Sequence, residues 1–529
     1  MYKKISIPES TSDPTINICL DTIKHGKQAL VFVNTKRGAE SQAEKIAKKT
    51  TLKDSKHTQL AEEALNVLSK PTKQCQRLAL CLRGGTAFHH AGLPMKQREL
   101  VEEGFRKGSI KVICCTPTLA FGLNLPAFRT IVRDLNRYGP RGMEPIPVIE
   151  YQQMIGRSGR PDFHDDYGEA IALASSESHK QEIYETYVTG EPEAILSKLA
   201  AEPALRTYTL TLIAAHNIRD KKDLYGFFAK TLFAHQYQDL EKMNQIIDKV
   251  LKQLQDWKFI QMKSNDFQSA DEFENEPLRA TAIGKRVAEL YLDPYTAHHL
   301  LECLEKATQK ETSAIGYLHM LSRCLELRPL LTVKMSEVQN IQEAYLPYEE
   351  YLLEAAPPEF DYEYDDYLKS IKTTLFFNDW MEEKDEEYLL EQYGVRPGEL
   401  FTKLDVCDWL LYSSSELVKL NGWTGLINPL AKMRVRLKYG AKEELLALLQ
   451  LKDIGRVRAR KLYQNGIQTL GDVRVVDMMK LSQLLGPAVA KNIKEQVGQK
   501  VEEVPKGKRK GQMSLEKYGL KEKKSKKKN

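Results

Sequence analysis

The first 175 residues alternate short apolar runs with longer amphipathic stretches. The apolar runs fall at 29–33, 86–90, 110–115, 130–135 and 169–174 and have the length of buried strands. The stretches between them, at 37–49, 56–69, 95–107 and 150–158, have the apolar spacing of helices. This alternation predicts an α/β fold with a parallel sheet, in which functional loops follow the carboxyl ends of the strands.

The remainder of the chain is predicted to be mostly helical. Helical patterns near 191–216, 221–233 and 241–256 lead into two extended segments, "WKFIQM" and "LRATAIG". Three helices closed by a two-stranded ribbon predict a winged-helix domain over 176–290. Amphipathic helices fill 291–438, and a compact helical segment occupies 439–498. The predicted fold class is therefore an α/β domain followed by mostly α domains.

Composition restricts the class of protein further. With 529 residues, of which 42% are hydrophobic and 28% charged, the chain is long enough for several domains with their own cores. No apolar run approaches the ~18 residues of a membrane span, and the start lacks a secretory signal, so we expect a cytoplasmic protein. The eight cysteines are scattered without zinc-like spacing, which predicts free thiols and no metal site.

The positive net charge is concentrated at the end of the chain. Residues 506–529 contain eleven Lys/Arg and two Glu, a net charge of +9, whereas the whole chain carries +6. The tail 499–529 is predicted to be disordered and attracted to polyanions. Any nucleic-acid surface on the preceding residues must be local.

The most informative short stretch is "QQMIGRSGRP" at 152–161. Its two arginines, Arg157 and Arg160, are three residues apart, and helical spacing would place both on one face. Two guanidinium groups aimed together are suited to a multiply charged phosphate. Together with Gln153 the stretch reads Q-x-x-G-R-x-G-R, which resembles the arginine-finger motif of superfamily-two helicases.

Three upstream segments resemble the other motifs of that family's second RecA-like domain, in the expected order. They are "LVFVNTKRGAE" (30–40), "HHAGL" (89–93) and "CCTPTLAFGLNLPA" (114–127). The resemblance implies that residues 1–175 are this domain, that Arg157 and Arg160 are catalytic, and that Gln153, Gly122 and Asn124 face the nucleotide. It also implies nucleic-acid contacts by residues at the strand ends: Asn34, Thr35, Arg37, His90 and Thr116.

A phosphoryl-transfer motor also needs a G-x-x-x-x-G-K-[ST] loop and an acidic Mg²⁺-binding box, and neither occurs in these 529 residues. In the helicase family the first RecA-like domain supplies both. We therefore expect that this domain is missing from the chain or supplied in trans, that it binds most of the ATP and Mg²⁺, and that the chain alone is inactive.

Two later segments indicate which family of superfamily-two helicases the chain resembles. "ATAIGKRVAELYLDP" (280–294) and "KEELLALLQLKDIGRVRARKLYQNGI" (442–467) resemble the archaeal Hjm helicase family, a Ski-two-like group related to HELQ. The resemblance implies an ATP-dependent 3′–5′ DNA helicase that unwinds forked or branched DNA in repair and recombination, with a helical ratchet domain at 291–438 and a helix-hairpin-helix domain at 439–498.

The resemblance also implies residues that handle DNA. The segment 131–151, with Arg137, Tyr138 and Arg141 near a Gly/Pro-rich turn, would be the strand-separating hairpin. Trp409 would stack on a base, and Lys403 is the one residue able to replace an arginine that the family carries nearby.

By its own chemistry, the turn at 455–461 is a candidate phosphate site, because a glycine turn with four cations suits a nucleic-acid backbone. Its residues are Gly455, Arg456, Arg458, Arg460 and Lys461. In the tail, Gln512, Leu515 and Tyr518 loosely resemble a box that docks on sliding clamps.

Two other functions remain open on the sequence. The absent phosphate loop favours a non-enzymatic DNA-binding helicase remnant or regulatory subunit, which the intact arginine pair opposes. An RNA helicase of the exosome-assisting type is the second alternative.

Overall fold

The computed structural model describes residues 5–50, 52, 54–121, 124–139, 142–159, 165–262 and 277–499. These residues form two compact units. The first unit comprises residues up to Trp380 together with Lys384–Lys438. The second comprises Met381–Glu383 and the described residues from Tyr439 onward.

The first unit begins with a five-stranded sheet whose neighbouring strands are all parallel. Its strands are β1 (Ala29–Phe32), β2 (Thr86–His89), β3 (Val112–Cys115), β4 (Arg129–Val132) and, after a separate ribbon, β7 (Glu169–Ala172). The strand order is β2-β3-β1-β4-β7. The first four strands are fully buried, because a parallel sheet covered by helices has no solvent face. The predicted α/β domain and its five strands are confirmed.

Seven helices accompany this sheet: α1 (Pro14–Lys24), α2 (Lys36–Ala47), α3 (Ser55–Leu65), α4 (Lys73–Arg83), α5 (Met95–Arg106), α6 (Val148–Ile155) and α7 (Glu177–Ile183). The sequence analysis did not predict α1 or α4. Both begin at clear capping residues, since Asp13 and Thr72 each accept hydrogen bonds from backbone N–H groups of the first turn.

A short antiparallel ribbon projects from the segment between β4 and α6. Its strands are β5 (Asn136–Gly139) and β6 (Gly142–Pro145), and Tyr138 lies opposite Met143. The predicted hairpin limits of 131–151 were too wide, because residue 131 belongs to the buried strand β4 and residues from 148 onward belong to α6.

The next part of the first unit contains helices and a second two-stranded ribbon. The helices are α8 (Glu202–Ala214), α9 (Lys221–Phe228), α10 (Leu232–Tyr237), α11 (Leu240–Asp256) and α12 (Ala282–Glu289). The ribbon pairs β8 (Ile260–Met262) with β9 (Leu278–Ala280) in antiparallel register. The predicted helix at 191–216 is shorter than expected, and the predicted helix at 221–233 is divided into α9 and α10. The winged-helix assignment stays a prediction.

The first unit ends with α13 (Pro294–Gln309), α14 (Ala314–Ser322), α15 (Val338–Tyr345), α16 (Glu363–Met381), α17 (Glu386–Tyr393), α18 (Pro397–Leu420) and α19 (Ile427–Tyr439). A small core here buries Leu352, Tyr367 and Leu368. The second unit contains α20 (Arg456–Gln464), α21 (Leu470–Val475), α22 (Met478–Leu485) and α23 (Pro487–Gln496).

Two composition-based predictions can be compared with the structure. All eight cysteines are free and buried, as predicted. Within the described ranges, no helix is both long enough and apolar enough to cross a membrane.

Candidate functional site

The predicted motifs converge at one edge of the parallel sheet. β2, β3, β1 and β4 are neighbours and run in the same direction, so the residues that follow each strand lie along the same edge. Asn34 and Thr35 follow β1, Thr116 follows β3, and His90 follows β2. The topology therefore places candidate residues that are distant in sequence at neighbouring strand ends.

The loop after β1 contains an exposed threonine, Thr35, and an asparagine, Asn34, that is held by hydrogen bonds. Thr35 is exposed and caps α2, where its Oγ1 accepts a hydrogen bond from the Gly38 N–H at 2.9 Å. Asn34 is engaged with the segment after β4, because its N–H donates to Asp134 Oδ2 and its Nδ2 donates to the Asn136 carbonyl, both at 3.1 Å. Arg37 is exposed in the first turn of α2.

The loop after β3 is shaped by paired threonines. Thr116 is buried, and its Oγ1 lies 2.9 Å from Thr118 Oγ1. Its carbonyl accepts the N–H of Leu119 at 3.1 Å and so begins the 3₁₀ turn Pro117–Ala120. In this structure Thr116 is chiefly a residue that shapes the turn, and its contact with a nucleic-acid phosphate stays a prediction.

The arginine motif packs directly on this 3₁₀ turn. Arg157 is half-buried, and its Nη2 donates to the carbonyl of Ala120. Next to it, Ala127 donates to the Arg157 carbonyl at 2.9 Å and accepts from the Gly159 N–H at 2.8 Å. Gly159 has a φ of +93°, a conformation that favours glycine.

The prediction that helical spacing places Arg157 and Arg160 on one face was wrong. The helix α6 ends at Ile155, and Arg157 lies beyond it, next to the β-bridge between Ser158 and Ala127. Arg160 lies outside the described residues, as does Gly122. Gln153 on α6 and Asn124 before β4 are both exposed polar residues.

His90 does not have the exposed position that a nucleic-acid contact requires, and this prediction was wrong. The side chain is fully buried. Its Nδ1 accepts the Gly92 N–H at 3.1 Å, so its Nε2 carries the proton that is donated to Glu40 Oε1 at 3.1 Å. Burial lowers the pKa of His90 despite the opposing effect of Glu40, and the neutral imidazole agrees with this hydrogen bonding.

Glu40 is the centre of a buried polar network that the sequence analysis missed. Its side chain is only 3% exposed, yet it accepts hydrogen bonds from four side chains. The donors other than His90 are Gln74 at 3.0 Å, Arg77 at 2.5 Å and Arg396 at 3.0 Å. Burial alone would raise the pKa of Glu40, but the His90 hydrogen bond and the Arg396 charge outweigh it and lower the pKa to about 2.

Arg396 precedes α18, so this network joins the sheet domain to the helix that carries Trp409. A second ion pair, Lys36 with Glu399, joins the same two elements. The Gly398 N–H donates to the Gly92 carbonyl at 3.0 Å, and a Cβ at Gly398 would collide with the carbonyl oxygens of Ala91 and Leu93. Glycine is therefore required where α18 approaches the loop after β2.

The ribbon presents apolar side chains to solvent at its tip. Tyr138 is 82% exposed and Met143 is 61% exposed. Arg137 is partly exposed but donates to Glu150 Oε2 at 2.5 Å, so its charge is paired with a carboxylate. Arg141 lies outside the described residues.

The two predicted residues of α18 are both engaged by main-chain carbonyls. Lys403 Nζ donates to the carbonyls of Leu327 at 3.1 Å and Pro329 at 2.7 Å, and burial lowers its pKa. Lys403 therefore holds the 327–329 segment, and its contact with DNA stays a prediction. Trp409 is half-buried, and its indole N–H donates to the Leu290 carbonyl at 3.0 Å. Its stacking on a base stays a prediction.

In the second unit, Gly455 is the N-cap of α20, and the predicted cations belong to the helix that follows. Arg458 donates to the Asp453 carbonyl at 2.6 Å, Arg456 to the Gly440 carbonyl at 3.3 Å and Lys461 to the Leu484 carbonyl at 2.5 Å. Arg460 differs, because it pairs with Glu383 and Glu444, and these carboxylates raise its pKa. The contact of Arg460 with a phosphate stays a prediction.

The clamp-binding candidates Gln512, Leu515 and Tyr518 lie outside the described residues. That interaction stays a prediction from sequence.

Two protein families match parts of the chain. Residues 14–162 match the helicase conserved C-terminal domain, and residues 315–440 match domain 4 of archaeal helicases. The first match covers all four motif segments and the first four strands of the parallel sheet, and the second covers α18 with Lys403 and Trp409.

Individual relatives match almost the whole chain. An ATP-dependent DNA helicase Hel308 from Methanococcus vannielii is 38% identical over an alignment of 523 positions, which covers 92% of this chain and 67% of that protein. The Hel308 helicases of Methanocella arvoryzae and Pyrococcus horikoshii are 35% and 36% identical, over 95% and 92% of this chain. The chain spans 67% and 66% of the length of these two relatives. With its helicase motifs assembled at one sheet edge, the chain belongs to the Hel308 family of archaeal superfamily-two DNA helicases.

Proposed function

We propose that this chain forms the second half of the motor and the DNA-engaging part of an ATP-dependent 3′–5′ DNA helicase that unwinds forked or branched DNA. One observation carries the proposal. The arginine motif packs on the turn at 117–120, with Arg157 donating to Ala120, so the segments assigned to the nucleotide lie together at one edge of the sheet.

We propose that this edge of the sheet receives the terminal phosphates of ATP. Arg157 is half-buried there, and exposed polar side chains occur at Gln153 and Asn124. We propose that Arg157 and Arg160 stabilise charge on the transferred phosphoryl group, which is the role that positioned arginines play in phosphoryl transfer. Gln153, Gly122 and Asn124 would orient the nucleotide.

The loop that cradles the β- and γ-phosphates would come from a first RecA-like domain, supplied in trans or as part of a longer polypeptide. That domain would also hold most of the Mg²⁺. Without it, residues 1–529 would not hydrolyse ATP. ATP supplies the energy when bound, and the groups of this chain would bind and neutralise its terminal phosphate.

We propose that DNA follows the exposed loops and helices of the first unit. The exposed Thr35 and Arg37 are suited to contacts with the backbone of the strand, and a face of Trp409 is suited to stacking on a base. Antiparallel pairing of β8 with β9 supports the winged-helix domain. In the second unit, the N-terminus of α20 with Arg456 and Arg458 is suited to a phosphate.

The ribbon at 136–145 is proposed to separate the strands. An exposed tyrosine opposite an exposed methionine forms an apolar tip that can interrupt base stacking, and unstacking costs a few kcal/mol per step.

The Tyr138→Ala variant tests this helicase function. In an enzyme that contains both RecA-like domains, we expect unwinding of a forked duplex to fall by about tenfold, because a loss of about 1.4 kcal/mol in strand separation is a factor of ten. DNA-stimulated ATP hydrolysis should change by less than about twofold, because the ribbon is distinct from Arg157.

The matched control is Tyr362→Ala, since Tyr362 is 88% exposed but lies outside the ribbon. It should unwind the fork at the wild-type rate. A Tyr138→Ala enzyme that unwinds as fast as wild type would refute the role of the ribbon.

A further inference from the structure

A histidine, a cysteine and a glutamate converge in the helical part of the first unit, outside the motor motifs. His299 and Cys303 are four residues apart on α13, so they lie on the same helix face. Glu354 comes from the segment that follows α15 and the 3₁₀ turn Leu346–Tyr351. Among the described residues, these three form the one cluster of His, Cys and acidic side chains whose ligand atoms lie within 4.8 Å of one another.

The distances within this cluster are those of groups that share a ligand. His299 Nδ1 lies 3.8 Å from Cys303 Sγ and 3.4 Å from Glu354 Oε1. Bonds of about 2.3 Å to sulfur and about 2.0–2.1 Å to nitrogen and oxygen separate neighbouring tetrahedral ligands by roughly 3.3–3.6 Å. All three ligand atoms lie within 4.8 Å of one another, so no pair would have to close by more than about 1.2 Å to share one ion.

A neutral His299 would direct a lone pair into the cluster. His299 Nε2 lies 3.0 Å from the Met320 carbonyl, which can only accept, so Nε2 carries a proton. In the neutral imidazole Nδ1 is therefore the acceptor, and it faces Cys303 and Glu354. A backbone carbonyl that holds one ring nitrogen while the other binds a metal is the usual arrangement for histidine ligands.

The two carboxylate oxygens of Glu354 face different partners. Its Oε2 is buried without a hydrogen-bond partner, although buried carboxylate oxygens are normally satisfied. Arg323 forms an ion pair with this oxygen, with its Nε 3.6 Å from Oε2. Arg323 therefore contacts the carboxylate on the side away from Oε1, which faces His299.

The three residues of the cluster differ in their exposure. Cys303 is 1% exposed, whereas Glu354 also lines a surface pocket of about 520 Å³ together with Lys306, Lys310 and Tyr367. Glu354 therefore borders this pocket, and we expect an ion and its water ligand to enter from that side.

We propose that His299, Cys303 and Glu354 bind a Zn²⁺ ion, with water as the fourth ligand. Thiolate, imidazole and carboxylate are all zinc ligands, whereas Mg²⁺ and Ca²⁺ prefer oxygen alone. Binding releases the thiol proton of Cys303. The ion links α13 to the segment after the 3₁₀ turn, within the helical part that contains α18.

Cobalt substitution tests this site in the full 529-residue chain. After removal of metals by a chelator, we expect one Co²⁺ to bind per chain and to produce a thiolate-to-cobalt charge-transfer band that Zn²⁺ abolishes. Cys303→Ala should remove the band and weaken binding by at least about 100-fold, because even outer-shell partners are worth about 10–100-fold in affinity. Glu354→Gln should keep the band but weaken binding by at least about tenfold.

Two neighbours serve as matched controls. Cys407→Ala removes an equally buried thiol of the first unit, and His298→Ala removes the histidine adjacent in sequence. Both variants should bind Co²⁺ as wild type does. Circular dichroism establishes that each variant is folded, and Glu354→Gln decides the question if Cys303→Ala does not fold.

Three results would overturn the proposal. They are no charge-transfer band in the wild-type chain, a band that survives in folded Cys303→Ala, and an affinity that is unchanged in Glu354→Gln. An imidazolium–carboxylate pair without metal would give the first result.

Discussion

The Arg160→Ala variant is expected to hydrolyse ATP at least about 10³-fold more slowly than wild type in the presence of DNA, when the enzyme contains both RecA-like domains. The transferring phosphoryl group carries negative charge that a positioned guanidinium stabilises. Removal of such an arginine costs about 10³–10⁵ in rate in other phosphoryl-transfer enzymes. The measurement is kcat for DNA-stimulated hydrolysis at saturating ATP.

Replacement of Arg157 should affect both catalysis and folding, because its guanidinium also donates to the Ala120 carbonyl. We expect Arg157→Ala to lower both the ATPase rate and the stability of the fold. Arg157→Lys should keep the charge but lose the fork of donors, and its rate should lie between those of wild type and alanine.

Arg106→Ala is the matched control for both arginines. Arg106 is a half-exposed residue of α5 that pairs with Glu102 one helical turn away. Its loss should change kcat by less than about twofold, since exposed pairs of this kind contribute little. An Arg160→Ala enzyme that retained more than about a tenth of wild-type activity would contradict a catalytic role.

The Glu40→Ala variant is expected to lose about 3–5 kcal/mol of the free energy of unfolding of the first unit. Glu40 is almost fully buried and accepts hydrogen bonds from Arg77 and Arg396, so its removal leaves guanidinium groups without their acceptor. Denaturant unfolding followed by circular dichroism measures the loss. The reference variant is Glu44→Ala, whose partner is also Arg77 but whose side chain is more exposed; it should cost less than about 1 kcal/mol.

The pH dependence of the free energy of unfolding provides a second test of the role of Glu40. The pKa of Glu40 is lowered to about 2 from a reference of 4.5, so its contribution is complete above pH 4.5 and is lost as the pH falls toward 2. This shift corresponds to about 3 kcal/mol. The Glu40→Gln variant should lack that part of the acid destabilisation. Identical acid profiles for wild type and Glu40→Gln would show that the network does not hold an ionised carboxylate.

Much of the sheet domain was predictable because each strand is a short apolar run between helical patterns. The five predicted runs correspond to β1, β2, β3, β4 and β7. The strand order was not predictable in this way, since it depends on contacts between residues far apart in the chain. The helices α1 and α4 were missed, although their capping residues Asp13 and Thr72 were visible in the sequence.

The candidate site was predicted by motif order, but the environment of each residue was not. His90 lies in a segment that resembles a helicase motif, yet its side chain is buried. It contacts Glu40, a residue fifty positions earlier in the chain, and this contact exists only in the folded protein. Arg460 was counted as a free cation, yet Glu383 pairs with it. The sequence predicted no metal site, because Glu354 joins His299 and Cys303 only through tertiary packing.

The central claim is that the arginine motif of this chain completes a nucleotide pocket whose phosphate loop belongs to a first RecA-like domain. The most direct measurement is DNA-stimulated ATP hydrolysis by the 529-residue chain together with such a domain, either mixed in excess or fused ahead of Met1. We predict that neither part alone hydrolyses ATP, that the combination does so when DNA is added, and that Arg160→Ala abolishes this activity. DNA-stimulated hydrolysis by the chain alone, or a combination whose activity is indifferent to Arg160→Ala, would contradict the claim.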